Sequence, residues 1–162
     1  MEPSVSKLIR DGSAYFSIQW SRLLPLEKDV VIRKIPSTAG IYEIYRYDGG
    51  PTAEIIGRSR AYYGGLRNTL RGLIDPISPY PLNGVLLPDD ERHLVRYSLT
   101  DSSDDMDDIL FFFAGRDYYE DPEQEHSGKY EYIYVNEVLP ESIPNEVTAA
   151  TQRAPDRRPR SQ

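Results

Sequence analysis

The strongest constraint on this chain is a change of period inside one stretch, Ala39–Ile74 (AGIYEIYRYDGGPTAEIIGRSRAYYGGLRNTLRGLI). Two apolar runs, Gly40–Tyr45 and Glu54–Gly57, flank Asp48-Gly49. Asp-Gly between β-rich runs predicts a hairpin, because glycine supplies the positive φ of a tight turn. Past Gly57, Leu66, Leu70, Leu73 and Ile74 recur at i, i+4, i+7 and i+8, the spacing of one helical face. The stretch therefore reads strand, turn, strand, helix, with the helix starting between Ala61 and Gly65. A chain of 162 residues can wrap a single domain around such a unit.

The remaining segments add layers. Residues 1–12 are polar and read as a flexible N terminus. Ala14–Trp20 sets Phe16, Ile18 and Trp20 against Tyr15, Ser17 and Gln19, the alternation of a strand. Val30–Ile35 reads as a short strand leading to Pro36. Asp75–Asp90 holds Pro76, Pro79, Pro81 and Pro88 and reads as a surface loop. Arg92–Leu99 reads as a strand.

Thr100–Gly115 reads as a second helix. Ser102 or Ser103 caps it, Asp104 and Asp105 suit the positive end of its dipole, and Gly115 suits the position past its end. Met106, Ile109, Leu110 and Phe113 form its apolar stripe. Phe111 and Phe112 fall off that stripe, so the helix is either buried on two sides or exposes an apolar patch. Arg116–Ser127 reads as an acidic loop, Tyr130–Val135 as a late strand, and residues 140–162 as a disordered tail with a basic end. The expected architecture is α+β: a single domain over residues 13–139, with a core at about 36–113. In it a small antiparallel sheet is flanked by helices, with an extra N-terminal strand and a late strand.

The chain has no cysteine, which excludes disulfides and thiolate metal sites. It shows neither a signal sequence nor a run long enough to cross a bilayer, so the expectation is a cytoplasmic protein without a membrane partner. The net charge of −7 is unevenly spread. Residues 1–80 hold 11 basic and 8 acidic groups (+3), residues 81–152 hold 4 and 17 (−13), and the last ten hold 4 and 1 (+3). Such a chain can present a basic face to nucleic acid while its acidic half suits a basic protein partner.

The order strand, strand, helix, strand, helix, opened by Gly40-Ile41-Tyr42, resembles the GIY-YIG nuclease domain over roughly residues 36–113. The first signature is intact. The second stands as Ile55-Ile56-Gly57, with isoleucine in place of tyrosine and 12 residues between the two tripeptides. The resemblance implies hydrolysis of phosphodiester bonds with one divalent metal, usually Mg²⁺. It implies that Tyr42 handles the attacking water, that Arg67 or Arg71 on the first helix steadies the phosphate, and that an acid on the later helix holds the metal. A hard cation wants carboxylate oxygen, and charge developing on phosphorus wants a guanidinium fork.

That later helix offers no glutamate, only Asp107 and Asp108. At about 100° per residue Asp107 borders the apolar stripe and Asp108 points away from it, so Asp107 is the candidate ligand. Arg58 and Arg60, in the expected loop after Gly57, join Arg67 and Arg71 as candidate nucleic-acid contacts. The Gly64-Gly65 pair could admit a phosphate to free helix amides, or simply form a turn. His93 and His126 lack metal-ligand spacing and read as structural. Each signal also has a plain counterpart: a solvated arginine flank, a sheet tyrosine, a charged helix end. Three functions therefore compete: a divergent metal-dependent nuclease, a catalytically inactive nucleic-acid-binding relative, and a protein-binding module that uses the acidic half.

Overall fold

Asp11 and Gly12, both at positive φ (51° and 77°), turn the chain back on itself between β1 (Val5–Arg10) and β2 (Ser13–Gln19). Two consecutive positive φ values make the tight turn whose twist suits a hairpin. The expected flexible N terminus is therefore a strand, paired antiparallel with β2 from Val5↔Ile18 to Arg10↔Ser13. There follow β3 (Leu24–Pro25), α1 (Lys28–Lys34), β4 (Gly40–Tyr47), β5 (Thr52–Ala61), α2 (Gly65–Leu73), β6 (Arg92–Leu99), α3 (Ser103–Ala114), β7 (Tyr132–Val138), β8 (Thr148–Ala150) and β9 (Arg157–Pro159). This computed structural model describes residues 2–115 and 124–150, and the backbone of 157–159. Residues 116–123 of the expected acidic loop lie outside the described ones.

The fold is α+β with two sheets. The central sheet runs β3-β6-β4-β5-β8, with β4 antiparallel to both β5 and β6 and β8 parallel at the β5 edge. The N-terminal and late strands do not extend it. They form a second sheet, β1-β2-β7-β9, in which β2 and β7 run parallel. Part of the expected disordered tail thus enters both sheets, as β8 and β9. Val30–Ile35 is helix rather than strand. Val31 and Ile35 fall four residues apart on the buried side, Asp29 sits in the first turn, and Arg33 and Lys34 sit in the last.

Strand alternation divides the central sheet. Tyr42 and Ile44 of β4 face α1 and α2, in a cluster with Val31, Ile35, Leu66 and Leu70. Ile41 faces the other way, with Met106, Ile109 and Phe113 of α3. The far side of α3 is covered by the second sheet through Phe16, Ile18, Trp20, Ile133 and Val135. α3 is therefore buried on two sides, and Phe111 and Phe112 are core residues. Ser102 caps it by accepting from the Asp105 amide (3.1 Å). Among the described residues no helix is long and apolar enough to cross a membrane.

Candidate nucleic-acid interface

Tyr42 lies on the α2 face of β4, 3% exposed. Burial pushes its hydroxyl up to about 12, against a hydrogen bond with Ser59 that lowers it. A phenol that holds its proton so firmly is a poor base. Asp107 lies across the sheet, on the α3 side, where it pairs with Arg60 of β5. Burial lifts its carboxyl above the usual range, Arg60 opposes the shift, and Asp104, Asp108 and Glu125 add to it. The two residues expected to share a reaction centre thus face opposite sides of one sheet.

Asp108, expected to point to solvent, is fully buried. It accepts from the amide (2.7 Å) and hydroxyl (2.8 Å) of Ser127, because the segment after α3 folds back over that side of the helix. Asp104 pairs with Lys129 and Asp105 with Lys7. Among the described residues no three His, Cys, Asp or Glu side chains gather as metal ligands. One aspartate turned to an arginine and its neighbour turned to a serine do not make an oxygen cage, so these residues do not fit a Mg²⁺ centre.

Arg58 and Arg60 belong to β5, not to a loop. Arg58 is 1% exposed and is no surface contact. It meets Glu43 Oε2 through Nε (2.7 Å) and Nη2 (2.5 Å), and its guanidinium lies 3.7 Å from the Phe113 ring centre. On the other side Arg96 Nε donates to Glu43 Oε1 (2.5 Å), as does the Tyr45 hydroxyl (2.7 Å). Register explains the row, since Glu43 pairs with Arg58 on β5 and with Arg96 on β6. Burial pushes the Glu43 carboxyl up, but Arg96 and Arg58 prevail and hold it at about 2. Arg96 also lies over Trp20, whose indole N–H donates to Glu137 (2.8 Å). The row joins central sheet, α3 and second sheet; its role is cohesion.

The N terminus of α2 is also spoken for. Gly64 and Gly65 take φ values of 79° and 80°, and a Cβ on Gly65 would lie 1.8 Å from the Ser37 carbonyl oxygen. That close approach lets the Leu66 and Arg67 amides donate to Thr38 (2.8 Å) and Pro36 (3.1 Å). With both amides taken, the glycine pair serves packing rather than a phosphate. Arg67 Nε donates to the Ile35 carbonyl (2.9 Å) and ties α2 to the end of α1. Arg71 stays exposed.

What remains is the outer face of α1 and α2. The two helices carry Lys28, Arg33, Lys34, Arg67 and Arg71 against the single acid Asp29, a net of +4. α3, beneath the opposite face of the sheet, carries four aspartates and no cation, a net of −4. The compensation is unequal. Asp104, Asp105 and Asp107 all enter ion pairs, whereas among the described residues none of the five α1–α2 cations does. Where the helices meet the loop after α2, a cleft of about 370 Å³ is lined by Lys28, Asn68, Arg71, Asp75 and Tyr80. Lys28 and Tyr80 carried no sequence signal of their own. A family model described as "Uncharacterised protein" matches residues 4–159. No curated protein and no solved structure matches the chain.

Proposed function

We propose, for a chain that belongs to this family of uncharacterised proteins, that it binds nucleic acid without cutting it, through the basic faces of α1 and α2. The observation that carries this reading is the set of five cations on those helices with no ion-pair partner among the described residues. Exposed lysines and arginines gain by displacing the counterions condensed on a phosphate backbone. The ion pairs of Asp104, Asp105 and Asp107 leave little free charge on α3, so the field that steers a polyanion is that of α1 and α2 themselves. The strand–strand–helix–strand–helix order supports a GIY-YIG-like unit that keeps a nucleic-acid role. The separation of Tyr42 from Asp107 speaks for loss of hydrolysis.

Fluorescence anisotropy with labelled oligonucleotides over a salt series tests this. The parent should bind more weakly as salt rises, with a slope near 0.9 per duplex phosphate neutralised. Replacing Lys28, Arg33, Lys34 and Arg71 together by Ala should flatten that slope while Trp20 fluorescence reports an intact core. Binding indifferent to both salt and the fourfold variant would remove nucleic acid as the partner. Mg²⁺-dependent cleavage lost on Asp107→Asn would restore the nuclease.

A further inference from the structure

The cleft at the C-terminal end of α2 differs from the rest of the basic face by having an aromatic wall. Tyr80 is 66% exposed, yet its backbone is fixed, its amide donating to the Gly72 carbonyl (2.8 Å). Its ring rests on Gly72 so closely that a Cβ there would stand 2.5 Å from Tyr80 Cδ2. Glycine at this helical position thus lets the ring lie against α2 while much of it stays open to solvent. Lys28 and Arg71 line the same cleft, together with Asn68. The acid lining it among the described residues, Asp75, accepts from the amides of Ser78 (2.9 Å) and Ile77 (2.8 Å), which with a smaller contribution from Arg71 and Lys28 pull its carboxyl below the usual range. The lining side chains sum to one positive charge, and the Arg71 and Gly72 carbonyls at the helix end are taken by Ile74, Asp75 and Tyr80.

We infer that this cleft takes one unpaired nucleotide of a single strand, its base stacked on Tyr80 and its phosphate held by Lys28 and Arg71. The inference rests on the nucleic-acid reading above and specifies its substrate. A volume of about 370 Å³ accommodates a nucleotide and lies within the range of small-molecule sites. Base–aromatic stacking is tolerant of sequence, because every base has a π face. A base paired in a duplex cannot offer that face, so the cleft discriminates strandedness rather than sequence.

The test uses the full chain with three probes: oligo-dT, oligo-U and a DNA duplex. Both single strands should bind more tightly than the duplex. Tyr80→Ala should weaken both by about 5- to 150-fold, the worth of one stacked base, and leave duplex affinity and its salt slope unchanged. Tyr80→Phe should behave as the parent. Gly72→Ala displaces the ring while favouring the helix, so it should reproduce the selective loss without lowering stability. Tighter parent binding of oligo-U than of oligo-dT, with the difference lost on Asn68→Ala, would identify RNA as the source. Equal affinity for single strand and duplex, or a silent Tyr80→Ala, overturns this inference and leaves the salt-dependent face standing. Salt-independent binding overturns the broader reading instead.

Discussion

Glu43→Gln changes one oxygen to an NH₂ group and leaves the side chain's shape almost untouched, so it removes charge and acceptor capacity alone. Oε1 accepts from Tyr45 and Arg96 (2.7 and 2.5 Å), and Oε2 faces Nε and Nη2 of Arg58 (2.7 and 2.5 Å). Whichever way the amide turns, its NH₂ confronts two donors. Each buried donor left without an acceptor costs about 1–3 kcal/mol, which gives roughly 2–6 kcal/mol. Stripping one partner from a buried ion pair typically costs about 3–5 kcal/mol, so the two routes agree. With a urea m-value of about 2 kcal/mol/M, the unfolding midpoint should fall by about 2 M. Trp20 stacks on Arg96 and supplies the fluorescence signal. A loss below about 1 kcal/mol would refute the reasoning, because it would mean that both arginines reach water in the folded state. Replacing the whole row at once by apolar side chains of similar volume (E43L, Y45F, R58M and R96M together) should recover most of the loss, since it leaves no Tyr45 hydroxyl without its acceptor.

Three further outcomes follow from the same packing. Acid titration of the parent should show a stability component fully present above the ordinary Glu value of 4.5 and lost as pH falls toward about 2, the folded-state value of Glu43; E43Q should lack it. Leu70→Ala, at a position with no exposure beneath β4, should cost about 2–5 kcal/mol in denaturant unfolding, and a loss under about 1 kcal/mol would contradict its burial. Gly65→Ala should cost at least about 1–3 kcal/mol, since it forces a side chain both to positive φ and into the Ser37 carbonyl; thermal unfolding unchanged from the parent would contradict that contact.

The parts of the fold legible in the sequence are those set by local chemistry. Asp48-Gly49 marks the β4–β5 turn, the leucine period marks α2, and Ser102 with Asp104 and Asp105 marks the start of α3. Asp11-Gly12 carries the same hairpin signal, but Ser6, Lys7 and Arg10 hide β1 behind a polar surface. At α1 the β-branched Val30, Val31 and Ile32 argue for a strand. The charge pattern of Asp29, Arg33 and Lys34, together with burial of Val31 and Ile35, decides for a helix. Propensity loses to packing there.

The site is less legible because its determinants are long-range. Arg58 looks like a surface cation until register sets it beside Glu43, and Arg96 comes from a third strand. Choosing Asp107 over Asp108 by helical angle assumes that one side of α3 meets water, whereas the second sheet and Ser127 leave no such side at Asp108. Strand parity says that Tyr42 and Ile41 face opposite ways. It cannot say that α2 covers one face and α3 the other, and that arrangement is what separates Tyr42 from Asp107.

The parallel pairing of β2 with β7 has a consequence for how the chain reaches this fold. Ser13 meets Tyr132, and Gln19 meets Val138, more than a hundred positions later. During synthesis at about 5–20 residues per second, the β1–β2 hairpin emerges on the order of ten seconds before its partner strand. Throughout that interval Phe16, Ile18 and Trp20 lack the cover of Ile133 and Val135. The central hairpin, α2 and β6 can pair among themselves as they appear, while the second sheet waits for the last third of the chain. Folding should therefore be slow for a protein of this size, with contact order rather than stability setting the rate. A fragment ending before Tyr132 would be a different object from a trimmed domain: a central sheet short of β8, carrying an unpartnered, aggregation-prone hairpin at its N terminus.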